Sequence, residues 1–394
     1  MSLETVRLVG STTPFLKDKV NFQHFNRIEE IENKAFLEEQ IITYIGNKRR
    51  LLDKIAIEVD TIGQKLNKKK MVCVDLFSGS GIVARLLKQY SSVLYANDLE
   101  AYCKVINECY LSNVGDFPQK EYTRYFNEIN KTLSNLKTDG IIYTNYAPKD
   151  DTHIKHGERC FYTAKNAQII DTIRTAIDSV PIHLQKFFLA PLLYSASVHV
   201  NTGGVFKGFY KDMKTGVGKF GGTAENALKR IKKEITLLKP ILSNFSCEVH
   251  ILQDDANIVA KNIHGADIVY IDPPYNQHPY GSNYFMLNVI LKNKIDAPIS
   301  KVSGIPNNWN RSNYNKKQKA LQSLANLLES LDSKYVIISY NAEGFISTTE
   351  IEALVKKYGK LKIVELPYTV YRACRNLSGR DISVNEYLFI LEKR

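Results

Sequence analysis

Met71-Val72-Cys73-Val74-Asp75-Leu76-Phe77-Ser78-Gly79-Ser80-Gly81 decides the fold class. The first six residues form a short apolar run bounded by turn residues, the pattern of a buried strand. Phe77 to Gly81 is a glycine-bearing loop, and a helix is predicted over Ile82–Gln89. A second strand, Ser91–Ala96, ends at Asn97-Asp98, and a helix over Leu99–Ser112 follows. Strand, helix and strand in such a short span make a βαβ unit with parallel strands. Glycines at a strand's C-terminal end let backbone approach a ligand closely, and Asp98 ends the neighbouring strand, where ribose hydroxyls are met. A dinucleotide fingerprint needs a third glycine here, and a P-loop needs Gly-Lys-Ser/Thr; neither is present. The loop alone divides evenly between a nucleotide-like ligand and a tight turn.

Outward from this unit the pattern holds, breaks and returns. Upstream, Leu51, Leu52, Ile55 and Val59 have helical spacing, so Gly46-Asn47-Lys48 is a turn entering a helix. Residues 1–35 are polar and weakly patterned, an N-terminal extension with some helix near Phe22–Phe36. From 114 to 242 strands become hard to see and helical patterns dominate, over Ala167–Ser179, Leu184–Ser195 and Thr223–Leu238. Strands return at Cys247–Leu252, Ile268–Ile271, Tyr335–Ser339, Leu361–Leu366 and Tyr387–Leu391. The expected architecture is a doubly wound α/β sheet formed by 36–113 and 243–394. A mostly helical insertion, 114–242, interrupts it.

Composition narrows the class. The 394 residues are 44% hydrophobic and 24% charged, enough for an ordinary core. No apolar run reaches the roughly 18–20 residues of a membrane span, and Met1 to Arg7 lacks the apolar core of a signal peptide. A cytoplasmic location with no membrane partner is expected. The six cysteines form no CxxC pair and no zinc spacing, so no metal is expected. The net charge of +12 suits a polyanion. Half of that excess lies between Lys207 and Lys239, where nine Lys/Arg face three Asp/Glu.

Asp272-Pro273-Pro274-Tyr275 follows the apolar run Ala266–Ile271. Each proline fixes φ and lacks an N–H, leaving nearby carbonyls free to accept hydrogen bonds. A planar amine can donate to Asp272 and to a proline carbonyl while its ring stacks on Tyr275. The plainer reading is a turn after a strand, with Tyr275 as ordinary packing.

Three motifs together carry a family resemblance. Phe77-Ser78-Gly79-Ser80-Gly81 resembles the FxGxG motif, and Asp272-Pro273-Pro274-Tyr275 the DPPY motif, of amino-DNA methyltransferases. Tyr44-Ile45-Gly46-Asn47-Lys48-Arg49 resembles the cofactor-side motif that precedes FxGxG in their alpha class. The order matches alpha-class adenine-N6 DNA methyltransferases, the Dam-like enzymes and many restriction-modification partners. The resemblance covers roughly residues 40–112 and 245–394. It implies a Rossmann-like fold dependent on S-adenosylmethionine, with Asp272, Pro273, Pro274 and Tyr275 catalytic. It further implies that Tyr44, Gly46, Asn47, Lys48, Asp75, Phe77, Gly79 and Gly81 hold the methionine and ribose portions. Asp98 would bind the ribose and Asp255 the adenine ring, with Asp254 the alternative. The implied reaction is attack of a flipped adenine N6 on the sulfonium methyl.

Residues 114–242 are then expected to be a target-recognition domain binding double-stranded DNA. Within it, Asn201, Lys207 and Lys211 are candidate DNA contacts, joined by Tyr280, Asn283 and Tyr284 from a mobile loop over the target base and by Arg372 from a late basic segment. A monomer is expected, with a restriction endonuclease acting on the same site as a further partner. Adenine methylation of RNA, or a catalytically silent DNA-binding subunit, are the alternatives. The intact DPPY and FxGxG motifs speak against the second.

Overall fold

The computed structural model describes residues 5–6, 32–222, 225–369 and 383–394. Eight strands form one sheet: β1 (Thr5–Val6), β2 (Met71–Asp75), β3 (Ser91–Asn97), β4 (Glu248–Leu252), β5 (Ala266–Ile271), β6 (Ser333–Asn341), β7 (Gly359–Thr369) and β8 (Ser383–Lys393). Their spatial order is β1-β7-β8-β6-β5-β2-β3-β4. Every pairing is parallel except those of β8, which runs antiparallel between β6 and β7. β5 is buried along all six residues, as its largely apolar sequence requires of a strand covered on both faces. One polar side chain interrupts it. Asp267 accepts from Lys68 Nζ at 2.8 Å, Lys334 Nζ at 3.0 Å and Val72 N–H at 3.0 Å, which ties the start of β5 to β2 and β6.

The chain runs outward from β2 to β3 and β4, then crosses back to β5 on the other side of β2. A crevice therefore opens between the C-terminal ends of β2 and β5, the switch point where doubly wound sheets take ligands. Asn97 pins the three strand ends on one side of it. Its Nδ2 donates to Leu76 O and Asp254 O, both at 3.1 Å, and its Oδ1 accepts from Asp254 N–H at 3.1 Å.

The helices Gln119–Thr132, Ala164–Ile177 and Ile182–Val198 confirm the helical character read for 114–242. Ile182–Val198 is apolar on nearly all sides and packs into the core that covers one sheet face, as such a helix must. The helix expected over Thr223–Leu238 is corrected. Within its described residues only Leu228–Lys232 is helical. The Asn166 side chain takes over the backbone bonds beyond it, donating to Ile231 O and Lys233 O and accepting from Ile235 N–H, at 3.2, 3.0 and 3.0 Å. Side-chain amides compete with helical bonding in this way, and no sequence period records it. Among the described residues no helix is long and apolar enough to cross a membrane.

Candidate active site

The crevice opens into a cleft of about 870 Å³, continuous with solvent. Its walls come from six places far apart in sequence: Tyr44–Lys48, Asp75–Ser80 with Ile82 and Val83, Asn97–Glu100, Asp254–Ala256, Tyr270 and Asp272 with Pro274, Pro279 and Tyr280, and Asn310 with Ser312, Tyr314 and Asn315. The structure thus brings together Tyr44, Gly46, Asn47, Lys48, Asp75, Phe77, Gly79, Asp98, Asp255 and Asp272, as expected from the sequence. Gly81 and Pro273 do not line it, and the half-buried Tyr275 sets its hydroxyl against Gly46. Gly81 caps the helix Ile82–Lys88 at φ +79°, and a Cβ there would lie 2.5 Å from Asn107 Oδ1. The Tyr275 ring meets Tyr340 edge-on with centroids 5.7 Å apart.

The glycine loop is held by Asp98. Its Oδ2 accepts from Gly79 N–H at 2.8 Å and its Oδ1 from Glu100 N–H at 2.9 Å. Gly79 stands at φ +50°, and a Cβ would lie 2.9 Å from Tyr44 Cε1. Gly79→Ala is therefore expected to destabilise the fold by about 1–2 kcal/mol from the left-handed backbone alone, read by urea unfolding, and to displace Tyr44. The Tyr44 ring forms a three-ring cluster with Tyr280 and Tyr284, its centroid 4.8 and 4.6 Å from theirs, which lie 6.0 Å apart. Both neighbours also grip Ile45: Tyr280 Oη donates to its carbonyl at 3.1 Å, and Tyr284 Oη accepts from its N–H at 2.6 Å.

Charge in the cleft is concentrated at its floor. Lys48 is 3% exposed, and its Nζ lies 2.9 Å from Asp272 Oδ1 and 3.1 Å from Glu386 Oε1. Burial pushes the Asp272 carboxyl up to about 6, with Lys48 opposing and Glu386 adding. Burial lowers the Lys48 ammonium pKa, but the two carboxylates outweigh it and hold the group well above its ordinary value. Asp75 is 1% exposed, and neither of its carboxylate oxygens has a hydrogen-bond partner among the described residues. Burial, then the nearby Asp272 and Asp98 charges, raise its pKa well above the ordinary carboxylate range. The Phe77 and Ala84 amides offset part of this electrostatically, without bonds of normal geometry. A buried acid without a partner is costly to ionise, and this one lies on the cleft wall.

Three residues at or behind the cleft wall, Glu386, Glu100 and Tyr314, were not legible in the sequence. Glu386 reaches Lys48 from β8, and its Oε1 accepts from Ser339 Oγ at 2.9 Å. Glu100 is a buried carboxyl raised to about 7 by burial, accepting from Asn288 Nδ2 at 2.8 Å. Tyr314 meets the Phe77 ring edge-on at 5.2 Å, forming an apolar wall beside Asp255. Asp255 itself caps the turn Ala256–Val259 by accepting from Asn257 N–H at 2.8 Å. Only the Asp98-Leu99-Glu100 spacing gave a signal for any of these.

The residues read as DNA contacts separate. Lys207 is exposed, with Nζ 3.2 Å from His278 Nδ1. Lys211 opens a hairpin that pairs with Gly218, and its ammonium lies 5.0 Å over the Phe209 ring. Tyr280 lines the cleft. Asn201 is a correction. It is 0% exposed, and its side chain donates to Cys160 O and Lys219 O and accepts from Gly221 N–H, at 2.8, 3.0 and 3.2 Å. It braces the glycine-rich loop from inside. Tyr284 is another: it is 0% exposed beneath Tyr44, and Asn283 is buried beside it. Apolar rings that can stack on each other bury rather than cover a ligand. Arg372 lies outside the described residues.

The model of a protein family, the D12 class N6 adenine-specific DNA methyltransferases, matches residues 44–366, from the Tyr44 wall through Asp272 to β7. The chain belongs to this family. It is 31% identical over 362 residues to the type II methyltransferase M.NlaIII of Neisseria lactamica, covering 89% of this chain and 99% of that one. It is 30% identical over 357 residues to the type II methyltransferase M.CviAII of Paramecium bursaria Chlorella virus 1, covering 89% and 98%. The modification methylase StsI of Streptococcus sanguinis is 28% identical over 367 residues, 52% of its length. As a D12-class methyltransferase, the protein is an enzyme that modifies adenine in DNA.

Proposed function

We propose that this D12-class enzyme transfers a methyl group from S-adenosylmethionine to N6 of an adenine flipped out of double-stranded DNA. We read it as the modification partner of a restriction endonuclease acting on the same site. The observation that carries this reading is the union of Asp272 with the glycine loop and the partnerless Asp75 carboxylate in one cleft. The residues present fit that methyl donor. Asp75 supplies an acceptor for an ammonium, Asp98 keeps lone pairs for ribose hydroxyls, and Phe77 with Tyr314 offers a wall for a purine beside Asp255. When bound, S-adenosylmethionine supplies a methyl group made electrophilic by a sulfonium.

The chain's own part is positional and electrostatic. The adenine N6 lone pair is delocalised into its ring, so the amine is a weak nucleophile. Asp272 and the Pro273 carbonyl accept its two N–H bonds, which favours pyramidal nitrogen and concentrates electron density there. Tyr275 stacks on the base. Lys48, held by Glu386, keeps Asp272 ionised near neutrality despite its burial, so it remains an acceptor. Holding two reactants in one cleft makes the encounter effectively unimolecular. Flipping is required because N6 is paired and stacked inside a duplex.

Residues 114–242 serve in this reading as the inserted DNA reader, with Lys207 and Lys211 on phosphates. Lys207→Ala with Lys211→Ala should weaken DNA binding and reduce the slope of log Kd against log salt by about two. An unchanged slope in a salt titration removes this loop from the interface. The whole reading is tested by incubating purified protein and S-adenosylmethionine with unmodified genomic DNA, then sequencing for N6-methyladenine at one recurring site. Unmodified DNA alongside methylated RNA overturns it.

A further inference from the structure

The Tyr284 hydroxyl joins two regions that the chemistry described so far leaves separate. It accepts from Ile45 N–H at 2.6 Å and donates to the Gly204 carbonyl at 3.3 Å. Ile45 belongs to the cleft wall. Gly204 belongs to the glycine-rich loop and stands at φ +115°, a backbone state open to glycine and little else. The ring of Tyr284 stacks on Tyr44 on the cleft side, 4.6 Å between centroids. On the loop side it meets Phe206 edge-on at 6.1 Å. The Phe206 N–H donates to Asn283 O at 2.7 Å, and the next residue is the exposed Lys207. A single buried tyrosine thus touches the wall beside Gly79 and the loop that presents Lys207.

We propose that Tyr284 is a positioning residue that couples the cofactor cleft to the 204–207 loop, so that cofactor and DNA bind cooperatively. The inference rests on the cofactor and DNA roles proposed above. A ligand against Tyr44 and Ile45 fixes the Ile45 N–H. That bond turns the tyrosine proton towards Gly204 and narrows the postures of the loop. DNA arriving second then meets a smaller ordering cost, which is positive cooperativity without a large displacement. By linkage, DNA tightens cofactor binding by the same factor. Phenylalanine at 284 keeps the ring stack but leaves Ile45 N–H without its acceptor and Gly204 O without its donor.

The test measures the Kd of S-adenosylhomocysteine, a non-reacting cofactor relative, with and without a duplex carrying the site that the wild-type enzyme modifies. Wild type should bind it at least about fivefold tighter with DNA present, and Tyr284→Phe should bring that ratio near one. Its affinity without DNA should stay within about threefold of wild type. A partly unfolded variant would raise that ratio, because DNA draws it back to the folded state, so a merely structural role would not bring it towards one. Hydrogen exchange on wild type gives a second readout: S-adenosylhomocysteine should slow exchange at residues 204–207 before any DNA is added. A ratio that survives in Tyr284→Phe, or a loop blind to the cofactor relative, overturns the coupling alone. Wild type that binds neither ligand overturns the reading of the cleft and the coupling with it.

Discussion

Asp272→Asn is expected to lower kcat on the order of a hundred- to a thousandfold while the KM for S-adenosylmethionine stays nearly constant. The amide keeps the shape of the carboxylate and its place 2.9 Å from Lys48, but it offers a neutral acceptor where the reaction needs a negative one. Single-turnover measurement with DNA separates this from a binding defect, because a chemical loss appears only in the methyl-transfer phase. Wild type carries a matching signature in pH. Burial pushes the Asp272 carboxyl up to about 6, and in the proposed mechanism the ionised form is the acceptor. The rate therefore falls about tenfold per pH unit below that value and levels off above it. The Asp272→Asn variant should lose that acid limb. A variant with wild-type kcat removes Asp272 from the chemistry.

Asp75→Asn is expected to trade binding for stability. The wild-type carboxyl is buried without a hydrogen-bond partner among the described residues, so in the ligand-free protein burial opposes its ionisation and nothing satisfies the charge when it forms. Removing the charge should weaken S-adenosylmethionine binding by roughly ten- to a hundredfold, the worth of one charged hydrogen bond. The ligand-free variant should melt no lower than wild type at pH 8. The pH dependence has a definite sign. Burial raises the folded-state pKa of Asp75 above its unfolded value, so the folded state binds more protons in between. Stability owed to this group is therefore greatest near pH 4 and declines as pH rises until the folded carboxyl ionises. Asp75→Asn lacks that decline. Calorimetric titration and melting curves at several pH values read both effects. Unchanged cofactor affinity in the variant would count against Asp75 as the ammonium partner.

Local signals in the sequence located the parts of the cleft but not how they are closed. The strand–loop–helix at Met71–Gln89 and the strand before Asp272 are written in consecutive residues, and both fold as read. A parallel sheet puts such strand ends on one edge, so motifs far apart in sequence converge without further information. Glu386 was invisible because nothing around it on β8 marks it; its meaning lies in Lys48, across the fold. Asn201 misled for the opposite reason. An asparagine among glycines reads as an exposed loop contact, but loops that change direction need internal acceptors and donors, and Asn201 supplies both. The same cause undid the helix at Thr223–Leu238, where the Asn166 amide took the backbone bonds. Long-range side-chain bonding decided each of these, and it leaves no period in the sequence.

The antiparallel seat of β8 between β6 and β7 has a consequence in time. Lys48 leaves the ribosome long before Glu386, the residue that completes its ion pair. At roughly 5–20 residues per second the gap is on the order of 17–70 s. Once residue 272 is made, Lys48 can meet Asp272, yet until Glu386 follows its ammonium holds one carboxylate instead of two. Competence therefore waits for β8 to enter the sheet between β6 and β7. A polypeptide interrupted before β8 would be a binder of nucleotides at most, and two separately made halves should regain modification only when the second carries that strand.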